Sequence, residues 1–267
     1  MEFFSFRYRN REDDYEDPRR EFLVRALTMG FFAAGGSALA GCASDVLGHR
    51  PEKLPPGQSI YRIRGDVRVN GVKPTKDTPI GPAESIETGS NSELVFVVGK
   101  DAFMMRENSR LELTPLLAAG GGGGGGASLA GSIIGNLRLV AGKVLSVFGV
   151  RQQSEELSLH TTTATVGIRG TGVYMESYPG RSYVCTCYGL TQLTATGDPD
   201  STERISSAHH DAPRFILGEG REGRRIEPAP VFNHTDMELL LIESLVGRTP
   251  PFMVSGGEYD APRRISY

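Results

Sequence analysis

The sequence has no tryptophan and only three cysteines in 267 residues. Three cysteines are too few for a domain stapled by disulfides. Neither sign of charge dominates: 29 Lys plus Arg stand against 32 Asp plus Glu, a formal net charge of −3. Without a basic surplus there is no electrostatic basis for non-specific nucleic-acid binding. No uncharged run is long and apolar enough for a polytopic membrane protein. No Ser-His-Asp or paired-carboxylate pattern is present either, so no enzymatic activity is expected. Glycine, by contrast, is abundant, and seven residues form the run Gly120–Gly126. Such a run costs too much backbone entropy to hold a strand or helix, and it reads as a flexible loop. A phosphate-cradling loop would need Lys-Ser/Thr after the glycines, which is missing here.

The first 41 residues read as an export signal. A charged stretch ends at Arg25, and no charged residue occurs from Ala26 to Ser44. That apolar stretch is short and rich in Gly and Ala, which suits a signal peptide better than a transmembrane helix. Arg19-Arg20, a spacer, then Phe22-Leu23 resembles the twin-arginine export signal. Leu39-Ala40-Gly41-Cys42 matches the bacterial lipobox, in which cleavage before the cysteine leaves Cys42 to be acylated. The expectation is a lipoprotein held by its lipid on the periplasmic side of the bacterial envelope. Residues 42–57, with Pro51, Pro55, Pro56 and Gly57, read as the linker behind the anchor.

From Gln58 onward, short runs alternate apolar and polar residues and are closed by Gly, Asn or Pro. Ile60–Arg64 and Val67–Val69 precede Asn70-Gly71, a strong hairpin signal because both residues tolerate positive φ. Leu94–Val98 and Asp101–Arg106 flank the two-residue turn Gly99-Lys100. Further strands are expected at Glu84–Thr88, Arg110–Leu113, Asn136–Val140, Gly142–Phe148, Leu157–Thr161, Thr165–Ile168, Gly172–Ser177, Ser182–Tyr188 and Thr191–Ala195. The expected fold is all-β, an antiparallel β-sandwich or solenoid-like stack with a single C-terminal helix. Residues 196–267 form an extension with a strand, a polar loop over Gly218–Pro230 and a helix over 236–246. Thr235 and Glu238 form a capping box, and Gly247 suits the residue after the helix. Met237, Leu240, Leu241, Ser244 and Leu245 are expected to make its buried stripe.

Several segments, in order, carry a family resemblance. They are Gly65-Asp66-Val67-Arg68-Val69-Asn70-Gly71, Ile86-Glu87-Thr88-Gly89-Ser90-Asn91-Ser92, Ser109–Leu113, Gly142-Lys143-Val144, and Thr161-Thr162-Thr163-Ala164-Thr165-Val166-Gly167-Ile168-Arg169-Gly170-Thr171. Together they resemble the FecR-type periplasmic domain over about residues 58–195. The resemblance implies an all-β extracytoplasmic domain. The best-known members of that family relay a siderophore-transport signal to a cytoplasmic sigma factor through an N-terminal cytoplasmic segment. The 25 residues before the apolar stretch are too short for a folded anti-sigma domain, so that role is not carried over. Arg169, set between glycines, reads as fixing a loop.

One set of residues is suited to chemistry. Cys185 and Cys187 sit two apart on an expected strand and so face one side. His209, His210 and His234 follow later in the chain. Two thiolates with one or two imidazoles bind zinc or copper. Cys-x-Cys on a strand also fits a disulfide, a redox pair or plain buried thiols. On a strand the adjacent His209 and His210 would face opposite ways, so at most one of them would join the thiols. Three functions remain open: a non-catalytic binding or structural module recognising an envelope protein partner, a metal-binding or thiol-redox protein, and an envelope signal relay.

Overall fold

The computed structural model describes residues 51–116, 134–151 and 157–253. The export signal, Cys42 and the Gly120–Gly126 loop lie outside these residues, as does the side chain of Arg169. The described residues belong to one compact unit, Arg50–Tyr267.

The fold is all-β with one helix near the C-terminus. The strands are β1 (Ile60–Arg64), β2 (Val67–Val69), β3 (Ser85–Thr88), β4 (Glu93–Val98), β5 (Asp101–Met105), β6 (Ser109–Pro115) and β7 (Ile134–Val147). They continue with β8 (Leu157–His160), β9 (Ala164–Tyr178), β10 (Arg181–Ala195), β11 (Asp198–Ser207), β12 (Arg214–Leu217) and β13 (Ile226–Pro228). The helix α1 spans Asp236–Leu245, and a 3-10 turn follows at Pro251–Met253.

All thirteen strands of the described residues join one hydrogen-bonded sheet, which folds over into two layers. The first layer runs β2-β3-β6-β7-β8-β9-β10-β11. The second runs β1-β4-β5-β7-β9-β10-β12-β13. Strands β7, β9 and β10 belong to both layers, one half of each strand in each. The sequence reads each of these long strands as two short ones, because glycines stand in the middle. Gly142 shows why the strand does not end there. It takes φ +88° and lets β7 leave β6 at Ala141 and meet β9 at Ser177. A Cβ at Gly142 would lie 2.5 Å from Ser109 Cα and 2.6 Å from the Asn108 carbonyl oxygen. The glycine is a bend at which two backbones touch.

Period-2 alternation gives the second layer two apolar faces. Its inner face, with Phe96, Phe103, Val144, Val173 and Val184, packs on Ile86, Leu111, Leu139, Val166 and Leu193 of the first layer. Its outer face, with Val95, Val97, Met104, Leu145, Tyr174 and Tyr183, forms a second core under α1. Thr161 and Thr163 join Ser182 in a buried hydroxyl network. Thr163 Oγ1 donates to the Ile216 carbonyl oxygen at 2.8 Å and lies 2.7 Å from Ser182 Oγ. That network ties the start of β9 to β10 and β12.

The extension holds three strands, all continuous with the sheet, and β13 lies inside the segment expected to be a polar loop. The capping box of α1 is present, with Thr235 Oγ1 accepting from the Glu238 N–H and Glu238 accepting from the Thr235 N–H. Gly247 follows at φ +76°. The buried stripe agrees with the expected one at Ser244 and Leu245 and differs elsewhere: Leu239 and Ile242 face the sheet, and Met237 is 57% exposed. Both stripes have helical spacing, and the choice between them was made by the ties at the helix ends. Arg106 Nη2 holds Glu238 at 2.9 Å and the Asn233 carbonyl at 2.8 Å. Arg248 and Tyr188 hold Glu243 at the other end.

Candidate metal centre

Strand β10 pairs with β12 as far as Val184 and with β11 from Gly189 onward. Between these limits, residues 185–188 have β9 on one edge and no strand on the other, and the register with β9 slips around Cys187. The connection from β11 to β12 crosses this gap. Its turn is held by Asp211, whose carboxylate collects the N–H groups of Ala208 and His209 at 2.6 and 3.3 Å. The His210 N–H then donates to the Cys187 carbonyl at 2.9 Å, as a strand neighbour would. His210 has φ +55°, so it lies in a turn. That left-handed residue directs its ring down to the thiols and leaves His209 outside.

The fourth group comes from the segment before α1. Asn233, at φ +61°, bonds Glu176 at 2.7 Å and turns His234 inward. The His234 ring stacks on Tyr174 with centroids 4.4 Å apart, and Tyr174 is the register partner of Cys185.

The structure therefore brings together four of the five residues singled out in the sequence. One ligand atom each from Cys185, Cys187, His210 and His234 lies within 4.8 Å of the others. Cys185 Sγ is 3.3 Å from His210 Nδ1, which is 3.0 Å from His234 Nε2. Tetrahedral zinc bonds of about 2.0–2.1 Å to nitrogen and about 2.3 Å to sulfur imply ligand separations of about 3.3–3.8 Å. All four residues are buried, the cysteines at 0% exposure. Both thiols are free, so the disulfide reading falls. His209 belongs to an outer group with His210 and Asp236. Its Nε2 lies 3.0 Å from the same Asp236 Oδ1 that His210 Nε2 reaches at 3.1 Å.

Proton positions follow from these partners. His234 Nδ1 lies 2.7 Å from the Phe232 carbonyl, which only accepts, so Nδ1 carries the hydrogen. His210 Nε2 faces the Asp236 carboxylate and likewise carries one. In the neutral rings, His210 Nδ1 and His234 Nε2 would then point two lone pairs at each other across 3.0 Å. The geometry requires a positive charge between them, either a proton or a metal ion. In the metal-free protein that charge is a proton. Burial opposes it, but the bonds to Asp236 and Cys185 override burial and hold His210 up at about 9. This contribution to stability is full below His210's ordinary value near 6.5 and is lost as pH rises through about 9. Burial would raise the Cys185 thiol, but the hydrogen bond from Cys187 and the two histidines push it well below its ordinary value. Burial and the neighbouring Cys185 charge push Cys187 up. Outer nitrogens anchored to a carboxylate and a carbonyl are the usual support for metal-binding histidines. Asp236 was not singled out from sequence. Its signal, an acidic residue in the first turn of a capped helix, has an ordinary explanation in the helix dipole.

No protein-family model and no curated protein matches this chain. Two crystal structures of a candidate anti-sigma factor from Parabacteroides distasonis ATCC 8503, at 1.65 and 2.50 Å resolution, are similar to it. Each is 8% identical with a TM-score of 0.40, covering 54% of this chain and 58% of that protein. At that level the likeness carries no argument about function.

Cys185, His210 and Asp236 also have the connectivity of a nucleophile, a base and an orienting carboxylate. A nucleophile needs a path for its substrate, and Cys185 is wholly enclosed. The 310 Å³ cavity lined by Leu54, Pro56, Ser59, Val97 and Leu245 lies at the opposite end of α1. Four soft donors closed on all sides are the arrangement of a structural zinc site.

Proposed function

We propose that this protein is a non-catalytic, extracytoplasmic β-domain of the bacterial envelope whose C-terminal extension is fastened to the sheet by a Cys2His2 zinc centre. The observation that carries this is the convergence of Cys185, Cys187, His210 and His234, with both histidines anchored through their outer nitrogens. Two ligands come from the sheet and two from the extension, so the ion would join them. Zinc is favoured over copper because two thiolates and two imidazoles, closed and near tetrahedral, match its structural sites. The test is metal analysis of the purified full-length protein. About one zinc per chain is expected at neutral pH, and it should be lost on acidification, because protons compete for thiolate and imidazole. Protein that carries no zinc after refolding in its presence, or whose zinc is insensitive to acid, contradicts the reading.

The envelope half of the proposal rests on Arg19, Arg20, Phe22, Leu23 and Cys42. Mass spectrometry of membrane-extracted protein should find an N-terminus at Cys42 carrying acyl chains. An intact leader with a free Cys42 thiol would exclude a lipoprotein.

A further inference from the structure

The zinc centre proposed above has no open face. Below it lie Tyr174 and β10, and above it the two histidine-bearing segments. On the outer flank Phe252, in the turn after α1, stacks on His209 with centroids 4.2 Å apart. Phe252 also meets the ring of Tyr188 at 6.1 Å, edge to face. An ion cannot pass these groups while they are seated. Part of the wall has to move for metal to enter or leave.

The wall that can move as one piece is the C-terminal one, since it is a short helix and turn rather than part of the hydrogen-bonded sheet. At ten residues, α1 is too short to be stable by itself in water and depends on its contacts. Its N-terminal end is part of the site: His234 lies just before the cap, and Asp236, its first residue, holds His210. Its C-terminal end is braced by a segment from the start of the domain. The Leu54 N–H donates to the Leu245 carbonyl at 3.0 Å. Lys53 lies over Gly247, where an added Cβ would sit 3.1 Å from Lys53 Cδ. Leu54 packs into the same apolar cluster as Leu245, Phe252 and the two cysteines. One short helix thus touches the metal ligands at one end and the Lys53-Leu54 brace at the other.

We propose that α1 and the Pro251–Met253 turn form a lid over the zinc centre, that Lys53-Leu54 braces the lid shut, and that zinc exchange is limited by lid opening. The proposal rests on the zinc reading and adds a control on access that lies far from the ligands in the chain. Leu54 touches none of the four ligands through any described bond, yet it should govern how fast the ion leaves. The helix is also tied to the sheet by Arg106 at Glu238 and by Tyr188 and Arg248 at Glu243, so opening has to break these bonds together with the Leu54 brace.

The experiment measures zinc release from the full-length protein to a chromophoric chelator, for wild type, Leu54→Ala and Phe252→Ala. Circular dichroism confirms that each variant is folded. The total zinc released reports the site, and the rate reports the lid. The expected result is the same total in all three proteins. The wild-type rate should level off as chelator is raised, and both variants should release several-fold faster. Equal rates in all three, or a rate proportional to chelator without a plateau, would overturn the lid and leave the zinc reading standing. No zinc recovered from any of them on acid unfolding, after refolding with zinc, would overturn both.

Discussion

The Cys185→Ser, Cys187→Ser double variant is expected to bind no zinc while keeping the β-sheet signature in circular dichroism. Serine hydroxyls stay protonated at neutral pH and are poor zinc ligands, whereas their size and strand direction match cysteine. The sandwich core between the layers contains neither thiol, so the sheet has no reason to unfold. Stability should nevertheless fall. An ion that binds only the folded state adds about 4 kcal/mol when free metal is a thousandfold above its dissociation constant. For a domain of this size that is about 8–16 °C in melting temperature. Thermal unfolding with and without zinc measures it: wild type should shift with metal and the double variant should not. Zinc bound by the double variant at full stoichiometry would exclude the site. Two further variants sort the histidines from their supports. Asp236→Asn should keep the zinc but bind it about 10- to 100-fold more weakly, because the charged acceptor behind His210 is gone. His209→Ala should keep near-normal affinity, since its ring reaches Asp236 and not the four converging donors.

Gly142→Ala should be the most damaging single methyl group in the described sheet. Alanine at φ +88° pays the left-handed strain, about 1–2 kcal/mol. Its Cβ would also press on backbone atoms of Asn108 and Ser109, which cannot swing aside as a side chain could. Ser109 is itself held there, since Lys143 N–H donates to Ser109 Oγ at 2.8 Å. The combined loss should be about 3–5 kcal/mol, in the range reserved for backbone strain and overpacking. Chemical denaturation is the check, and a midpoint equal to wild type would show that β7 does not need this bend. The glycine opens the segment Gly142-Lys143-Val144. Its physical reason is the crossing of one strand between two layers.

Local patterns made much of this protein legible. Alternation placed most strands between Ile60 and Ala195, because a strand with a wet or differently packed face must alternate. Asn70-Gly71 turns as expected, at φ +50° and +77°. The capping box marked the start of α1, since both of its bonds are made within four residues. Cys185 and Cys187 share a face because a strand repeats every two residues. These features are decided by neighbours in the chain.

The rest depended on segments distant in sequence. Merging six short strands into β7, β9 and β10 requires that a glycine in mid-strand bend the chain rather than end it. Only the opposing backbone at Ser109 decides that for Gly142. Burial of Leu239 rather than Met237 on α1 came from Arg106, just after β5, and Tyr188, on β10. The site shows the division most plainly. The two thiols were determined by the sequence alone. Which imidazole joins them was not, because His209 and His210 are chemically equal and adjacent. That choice was made by the gap in β10 between β12 and β11, which the turn must cross, and by the left-handed φ that His210 adopts in crossing it. His234 arrives from another segment altogether, through a stack on Tyr174. Ligand type is written in the chain, whereas convergence on one point is a property of the packed sheet and the helix that closes it.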